Sequence, residues 1–481
     1  MEDYEMETKG AVIGTPARPV VIDGPIGSNI YAEDDSEYHN RPRLPAGPPP
    51  KRPVAVFGPR YSQQALQQLE DENSEGRKTL LPQEHKVWVT YVITLAQAII
   101  CILQLTGTPV VPGSLAPWGM GVYQERTRVP LFDKTNATLI VTKAENPYYG
   151  PKTERIVQWG AKYAPCMRRS SEIDRYTSIK QAEVNFGCCL LNGDCGMMNQ
   201  STCLGFGGAF TGSGVACNPS LCSIVMRPCC YGVTYQCVVQ RKKYCDALDG
   251  HFSASQQTCT DVNCLNGICG LGANAAPGEN PEQAQRFFLP IWLHAGLIHM
   301  ILNLLVQLQL GRELEKTAGW WRFAIMYLGS GVGGNIFASV FVPDQISVGA
   351  SSAIYGLFGV DFVLLFHVWK ITENKWASLC CSSFSTILYL GIGTLPWIDN
   401  WAHFGGFLTG IMLGNIFLPY FSWSGWKRNC GLIVSLILLA IGLIVMLTLF
   451  YENREPEFCS WCKYVSCIPY TDGLCDNNEA S

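Results

Sequence analysis

Ser351 sits in Gly349-Ala350-Ser351-Ser352 at the start of one apolar stretch, and His403 stands at the start of another. A serine within hydrogen-bond reach of an imidazole is a minimal unit of nucleophilic acyl chemistry. The base takes the hydroxyl proton and the freed oxygen attacks a carbonyl. His299 and Asn303 lie one turn apart on a third stretch, and at that spacing they share a helix face. With Ser351 and His403 they make a set of nucleophile, base and polar donors. Tyr355, one turn below Ser351, is placed to pack on the imidazole and fix its orientation. No carboxylate stands where it would complete a triad, so the expectation is a Ser351–His403 dyad. His367 is excluded as the base, because it lies roughly 24 Å along the same helix from Ser351. His294 and His299 point about 140° apart on an ideal helix, which argues against a shared metal, and no organic cofactor is implied.

These groups need elements that hold them at one depth. A bilayer crossing takes about 20 apolar residues, and seven windows qualify: 87–107, 290–310, 322–342, 349–369, 376–396, 400–420 and 430–450. Lys and Arg cluster in alternate connections: Arg77, Lys78 and Lys86, then Arg312, Lys316 and Arg322, then Lys370 and Lys375, then Lys427 and Arg428. The connections near Asp344 and Asp399 carry neither. This bias puts the amino terminus in the cytosol and the carboxyl terminus on the lumenal or extracellular side. Ser351, His299, Asn303 and His403 then share the lumenal half. Gly406, Gly410 and Gly414 follow His403 on its own face, and Gly356 and Gly359 follow Ser351. Small residues at such steps let two helix backbones approach closely. Gly349, Gly356, Gly406 and Gly410 are therefore expected to pack the site. Each piece alone has a plainer reading, as a packing serine, an interfacial histidine or an interhelical bond. Asp361, mid-span, has no assigned role.

Cysteine placement is a separate test of that topology. Of 22 cysteines, fourteen fall in segment 108–286 and four (Cys459, Cys462, Cys467 and Cys475) in the tail after the last window. Both sets are even and both lie on the oxidising side. Cys101, Cys380, Cys381 and Cys430 fall in or beside spans. The sequons at Asn136 and Asn199 also lie in segment 108–286, so both asparagines are expected glycosylation sites. A zinc reading of Cys459-x-x-Cys462 yields to a disulfide on that side of the membrane.

The rest of the chain sets bounds. A net charge of −4 gives no general basic surface for nucleic acid. A mean hydropathy of +0.10 averages strongly apolar spans with strongly polar tails. The acidic start has no apolar run and is not a cleavable leader. The domain reading is therefore a disordered cytosolic tail (1–85), a first transmembrane helix (86–107) and a cysteine-rich lumenal loop (108–286). A helical core (287–420), a seventh helix (421–450) and a lumenal tail (451–481) follow. Residues 41–53 read as a solvated linker, with a polyproline ligand as the alternative.

The stretches His294 to Asn303, Glu315-Lys316-x-x-Gly319, Gly349 to Gly356 and Ala402-His403-Phe404-Gly405-Gly406 resemble the rhomboid family of intramembrane serine proteases, over roughly residues 286–420. The resemblance implies an all-α membrane protein built on a six-helix bundle, here with a seventh helix appended. It implies Ser351 as nucleophile, His403 as base, and His299 and Asn303 as oxyanion support. Two positions depart from the pattern: Ser352 stands where glycine is common, and Gln285-Arg286 stands where many members have Trp-Arg. A second resemblance joins the first. Leu310 to Trp320, Leu395 to Asn400 and the Cys459 to Asp472 stretch are similar to the inactive rhomboids. Those typically carry proline after the first glycine and lack the serine, whereas Ala350 and Ser351 stand here.

The expectation that follows is a serine endopeptidase cleaving transmembrane segments of other proteins near the lumenal face. The alternative is a pseudoprotease that binds membrane clients and regulates their trafficking. Either takes membrane proteins and the bilayer as partners, in the secretory pathway.

Overall fold

In a computed structural model of the chain, the described residues are 84–106, much of 122–168 and 186–277, and 279–466 apart from 344, 395–397, 420–424 and 453–460. All belong to the unit Ala55–Ser481. The segment 41–53 and most of the amino-terminal tail lie outside them, as do Cys459, Cys467 and Cys475.

Among the described residues seven long helices carry the fold: α1 (Val89–Thr106), α2 (Leu297–Ala318), α3 (Trp320–Phe341), α4 (Ser351–His367), α5 (Lys375–Ile392), α6 (Asn400–Phe417) and α7 (Gly425–Glu452). Helices α1, α3 and α7 are long and apolar enough to cross a bilayer. Helix α4 is apolar but shorter. The outward faces suit lipid, with Leu95, Ile99 and Ile102 exposed on α1 and Ile437, Ile441 and Ile444 on α7.

The second helix starts later than its apolar window. Pro290 lies in a short 3-10 turn, Leu289–Trp292, and an extended Gly296 follows, so α2 begins only at Leu297. His294 is therefore not on that helix. The far end of α2 runs on through Arg312, Glu313, Glu315 and Lys316.

Helices α3, α4 and α6 form the centre. A β-carbon on Gly406 would stand 2.1 Å from the Ser352 carbonyl oxygen, and one on Gly410 2.1 Å from that of Gly356. On α4, a β-carbon at Gly359 would stand 2.4 Å from the Phe407 carbonyl. The two backbones are in contact along two turns, with no room for a methyl group. In lipid the drive for such contact is van der Waals packing rather than release of water.

Helix α1 is bound to this centre by polar groups at successive levels. The Gln97 amide donates to the Ile291 carbonyl at 2.9 Å and the Tyr327 hydroxyl at 3.0 Å. The Gln307 amide donates to Thr94 at 2.8 Å and to the Gln97 side-chain oxygen at 2.9 Å. At the end of α1, the fully buried Glu315 of α2 accepts from the N–H groups of Trp88, Val89 and Thr90 and from the Thr90 hydroxyl, at 2.7–3.0 Å. The first N–H groups of a helix have no partner within it, and a carboxylate there also meets the positive end of the helix dipole. Glu315 thus caps a helix other than its own.

All-α describes the bundle only. The cysteine-rich loop holds a hairpin (Val122–Pro130 with Asn136–Ala144), a four-stranded sheet and a three-stranded sheet. Disulfides join Cys166–Cys269, Cys188–Cys203, Cys229–Cys245, Cys230–Cys264 and Cys237–Cys259. Cys462 in the tail is also disulfide-bonded. Among the described residues the free thiols are Cys101, Cys380, Cys381 and Cys430.

Loop and bundle meet at Arg286, a guanidinium with no exposed surface. It donates to the carbonyls of Val157 (2.8 Å), Ala161 (2.7 Å) and Cys269 and to the Gln283 side chain (2.7 Å). Burial pushes its pKa down to about 10, which leaves it charged at neutral pH.

Replacing Glu315 tests the cap between helices. Glu315→Ala orphans the buried N–H groups of Val89 and Thr90 and the half-buried one of Trp88, and is expected to cost about 1–3 kcal/mol. Glu315→Gln, which keeps one acceptor oxygen, is expected to cost less. Thermal unfolding of the purified protein in detergent should rank wild type above Gln above Ala.

Candidate functional site

Ser351 is the first residue of α4 and His403 lies in the first turn of α6. The Gly406–Ser352 backbone contact fixes how closely these two helix ends approach. Gly349, at φ +129°, turns the chain into α4 in a conformation that disfavours side chains. A β-carbon there would stand 2.8 Å from His299 Cε1 and 3.6 Å from Ser351 Oγ, so His299 and Ser351 both border this glycine. The Tyr355 ring stacks on the His403 imidazole, with centroids 4.0 Å apart and planes 8° apart.

The hydrogen bonds run differently from the sequence expectation. His403 Nδ1 donates to Asn400 Oδ1 at 3.2 Å in the tautomer that carries its proton there. Among the described residues no hydrogen bond joins Ser351 to His403. The Asn303 amide donates to the His299 carbonyl one turn back at 2.9 Å, which leaves it bonded to its own helix. His299 Nδ1 accepts from the Ala295 N–H at 3.3 Å. His294, off the helix, brings its ring to 5.5 Å from that of His299. The helical-wheel reasoning that separated these two rings fails because the helix begins only at Leu297, so His294 to Gly296 are not helical. Buried Asp361 accepts from the Ser382 hydroxyl at 2.7 Å and ties α4 to α5.

The cysteine-rich loop reaches this polar end of the bundle. The Asn146 amide donates to the Ala295 carbonyl at 2.8 Å and to the Pro151 carbonyl at 2.9 Å, and its oxygen accepts from the Tyr148 N–H at 2.9 Å. The Tyr148 and Tyr149 carbonyls accept from the Ile298 and Leu297 N–H groups at the start of α2. The Tyr148 ring lies 5.3 Å from that of His299, and burial pushes its phenol up to about 12. Further along, Lys162 pairs with Ser347 through both backbone bonds. Its ammonium, fully buried, donates to the Val342 carbonyl at 2.8 Å and stands 3.3 Å from Asp399. Asp399 in turn caps α6 by accepting from the Ala402 N–H at 3.1 Å. From the tail, the Cys462 and Val465 carbonyls accept from Trp401 and Asn400. The site is therefore walled by loop and tail at three helix ends.

Residues 281–420 match the rhomboid domain family. The chain is 28% identical over 457 residues to Inactive rhomboid protein 1 of Homo sapiens, covering 82% of this chain and 52% of that one. It is 29% identical over 460 residues to Inactive rhomboid protein 1 of Danio rerio, with the same coverage. It is 29% identical over 463 residues to Inactive rhomboid protein 2 of Homo sapiens, covering 82% and 53%. The matched stretch is thus a rhomboid domain, and the chain is similar to inactive rhomboid proteins. It spans about half the length of these relatives.

That similarity overturns the protease expectation. The curated relatives are named as inactive rhomboid proteins, so the serine endopeptidase assignment and the hydrolytic roles given to Ser351 and His403 are withdrawn. The rhomboid domain keeps the residue types of a dyad without a serine-to-base bond.

Two residues of the site escaped the sequence reading despite a usable signal. Asp399 precedes an apolar run, as N-cap residues do, and Asn400 is three residues before His403, a facing position on a helix. Asn146, Tyr148 and Lys162 had none, because their partners lie far away in the chain. Of the sequons, the Asn199 oxygen accepts from Ser201 and Thr202, and Asn136 begins the second strand of the loop hairpin. Among the described residues one thiol cluster has metal-like spacing, Cys230, Cys237 and Cys264, and its sulfurs are committed to two disulfides.

Asn146→Ala removes the bond from the loop to Ala295, just before α2, and two bonds that shape the loop at Tyr148 and Pro151, at an expected cost of about 1–3 kcal/mol. Hydrogen exchange should quicken at the amides of Tyr148, Leu297 and Ile298 and stay unchanged at α7. Unchanged exchange at Leu297 and Ile298 would mean that Asn146 does not hold the loop there.

Proposed function

We propose that this rhomboid-family protein is a pseudoprotease that binds client membrane proteins and governs their trafficking, without cleaving them. The observation that carries this reading is the seating of the loop on the polar end of the bundle. Asn146 and Lys162 bond to Ala295, Ser347 and Asp399 around Ser351 and His403. A peptidase needs an extended substrate strand to reach that end of the bundle, and here the chain's own loop is bonded there. Similarity to proteins named inactive supports the same conclusion.

In this reading all seven helices cross the bilayer, with residues 1–85 in the cytosol and segments 108–286 and 451–481 in the lumen or outside the cell. The alternating Lys and Arg connections support that orientation, as does the match between free thiols and span positions. Residues 287–420 form the helical core, and α7 is added to it. Ser351, His403, His299, Asn303 and Tyr355 form a structural polar cluster at the ends of α2, α4 and α6. Clients are engaged by the lipid-facing helix surfaces and the cysteine-rich loop, and Asn136 and Asn199 carry glycans.

Two measurements test this. Client proteins crosslinked to the wild type in cells are expected to be recovered equally with Ser351→Ala, and no client fragment should appear with either form. A fragment that needs Ser351 would refute the pseudoprotease. Asn136→Gln with Asn199→Gln should abolish the gel shift produced by peptide N-glycosidase. A wild type lacking that shift would argue against a lumenal loop.

A further inference from the structure

The end of α4 away from Ser351 carries a second feature that the polar cluster does not use. A cavity of about 730 Å³ opens between α4, α6 and the start of α7. Its walls are apolar and largely aromatic: Phe362, Phe366, Trp369, Phe407 and Ile411. Its rim is basic, with Lys370 at the end of α4 and Lys427 at the start of α7, both exposed. No Asp or Glu is among its lining residues. The inner wall carries the polar side chains of His367 and Asn415. Among the described residues neither lysine has an ion-pair partner, so two cations stand over a greasy cleft.

An aromatic cluster marks the level of this rim. Trp369 stacks with Phe366 at 5.8 Å and meets Trp376 edge-on at 5.2 Å, and the Lys375 ammonium stands 5.7 Å from the Trp369 ring. Phe366 and Trp376 are exposed. Tryptophan and lysine together at the ends of apolar helices are characteristic of the membrane–water boundary. An aqueous anion would satisfy the lysines and leave the aromatic walls bare, and a neutral lipid would do the reverse.

We infer that this cleft binds an anionic phospholipid of the cytosolic leaflet, its phosphate between Lys370 and Lys427 and an acyl chain along Phe362, Phe407 and Ile411. Basic pockets between transmembrane helices on the cytosolic side are suited to anionic headgroups. This inference rests on the seven-span reading for the side of the membrane that it assigns. A lipid held there joins α7 to the α4–α6 pair at the membrane face opposite the polar cluster.

The experiment uses the full chain purified in detergent, mixed with equal amounts of phosphatidylserine and phosphatidylcholine, and native mass spectrometry of the bound lipid. Two lysines at the surface predict a preference for the anionic lipid of roughly 30-fold, or about 2 kcal/mol at 1.4 kcal/mol per tenfold. Lys370→Gln with Lys427→Gln, checked for unchanged elution and glycan, should lose that preference. Excess glycerophosphoserine should not displace the lipid. Equal retention of both lipids, retention of neither, or a preference that survives in the double variant would overturn the site. Full displacement by glycerophosphoserine would also overturn it, showing a headgroup site without a lipid. The glycan on the same wild-type preparation reports the topology separately, so a wrong topology and a wrong lipid site give different results.

Discussion

Direct backbone contact between α4 and α6 sets most of what surrounds it. Gly406 and Gly410 on one helix and Gly356 and Gly359 on the other leave no space for a β-carbon. The helices therefore cross at the smallest separation two backbones permit. Tyr355 and His403 then lie close enough to stack, and Ser352 and Gly406 meet at the polar end. Helix α3 closes the third side, where a β-carbon on Gly356 would collide with the Ser330 side chain. A lipid-embedded bundle has little hydrophobic driving force between helices, so shape fit of this kind carries the packing.

Outside this contact the structure is held by buried polar groups bonded to backbone. Arg286 gathers three carbonyls from the loop, Glu315 gathers three N–H groups from α1, and Asn146 and Lys162 bond to the ends of the core helices. Helix ends and irregular loops carry unpaired backbone groups that must be matched wherever water is excluded. Side chains from distant segments do that here. The loop is consequently part of the bundle's polar end rather than a module tethered above it, and the Cys166–Cys269 disulfide closes the segment that Arg286 holds.

The sequence was most legible where a regular pattern repeats. Apolar windows coincide with the seven helices, and glycine spacing marks the faces of α4 and α6 that meet. Legibility failed where the pattern breaks. Pro290 and Gly296 moved the start of α2 and took His294 off the helix, which undid the angular separation of two histidines. Bonds between residues far apart, such as Lys162 to Asp399, leave no local trace. The chemistry was least legible of all. Ser351, His403, His299 and Asn303 are the residue types of a protease, yet the similarity is to proteins named inactive. Residue type gives no account of whether a hydroxyl and an imidazole are bonded, or of what lies over them.

The cap at Glu315 has a consequence for the order of assembly. The N–H group of Val89 and its carboxylate acceptor are separated by 226 residues of chain. Ribosomes add about 5–20 residues per second, so α1 emerges roughly 10–45 s before the group that completes it. During that interval its first turn must find other partners, and its rotation about its own axis is unset. The whole cysteine-rich loop is made in the same interval. Its disulfides can therefore begin to form while only one of the long helices has been made. The cap on α1 can be completed only after the loop and most of α2 have been synthesised.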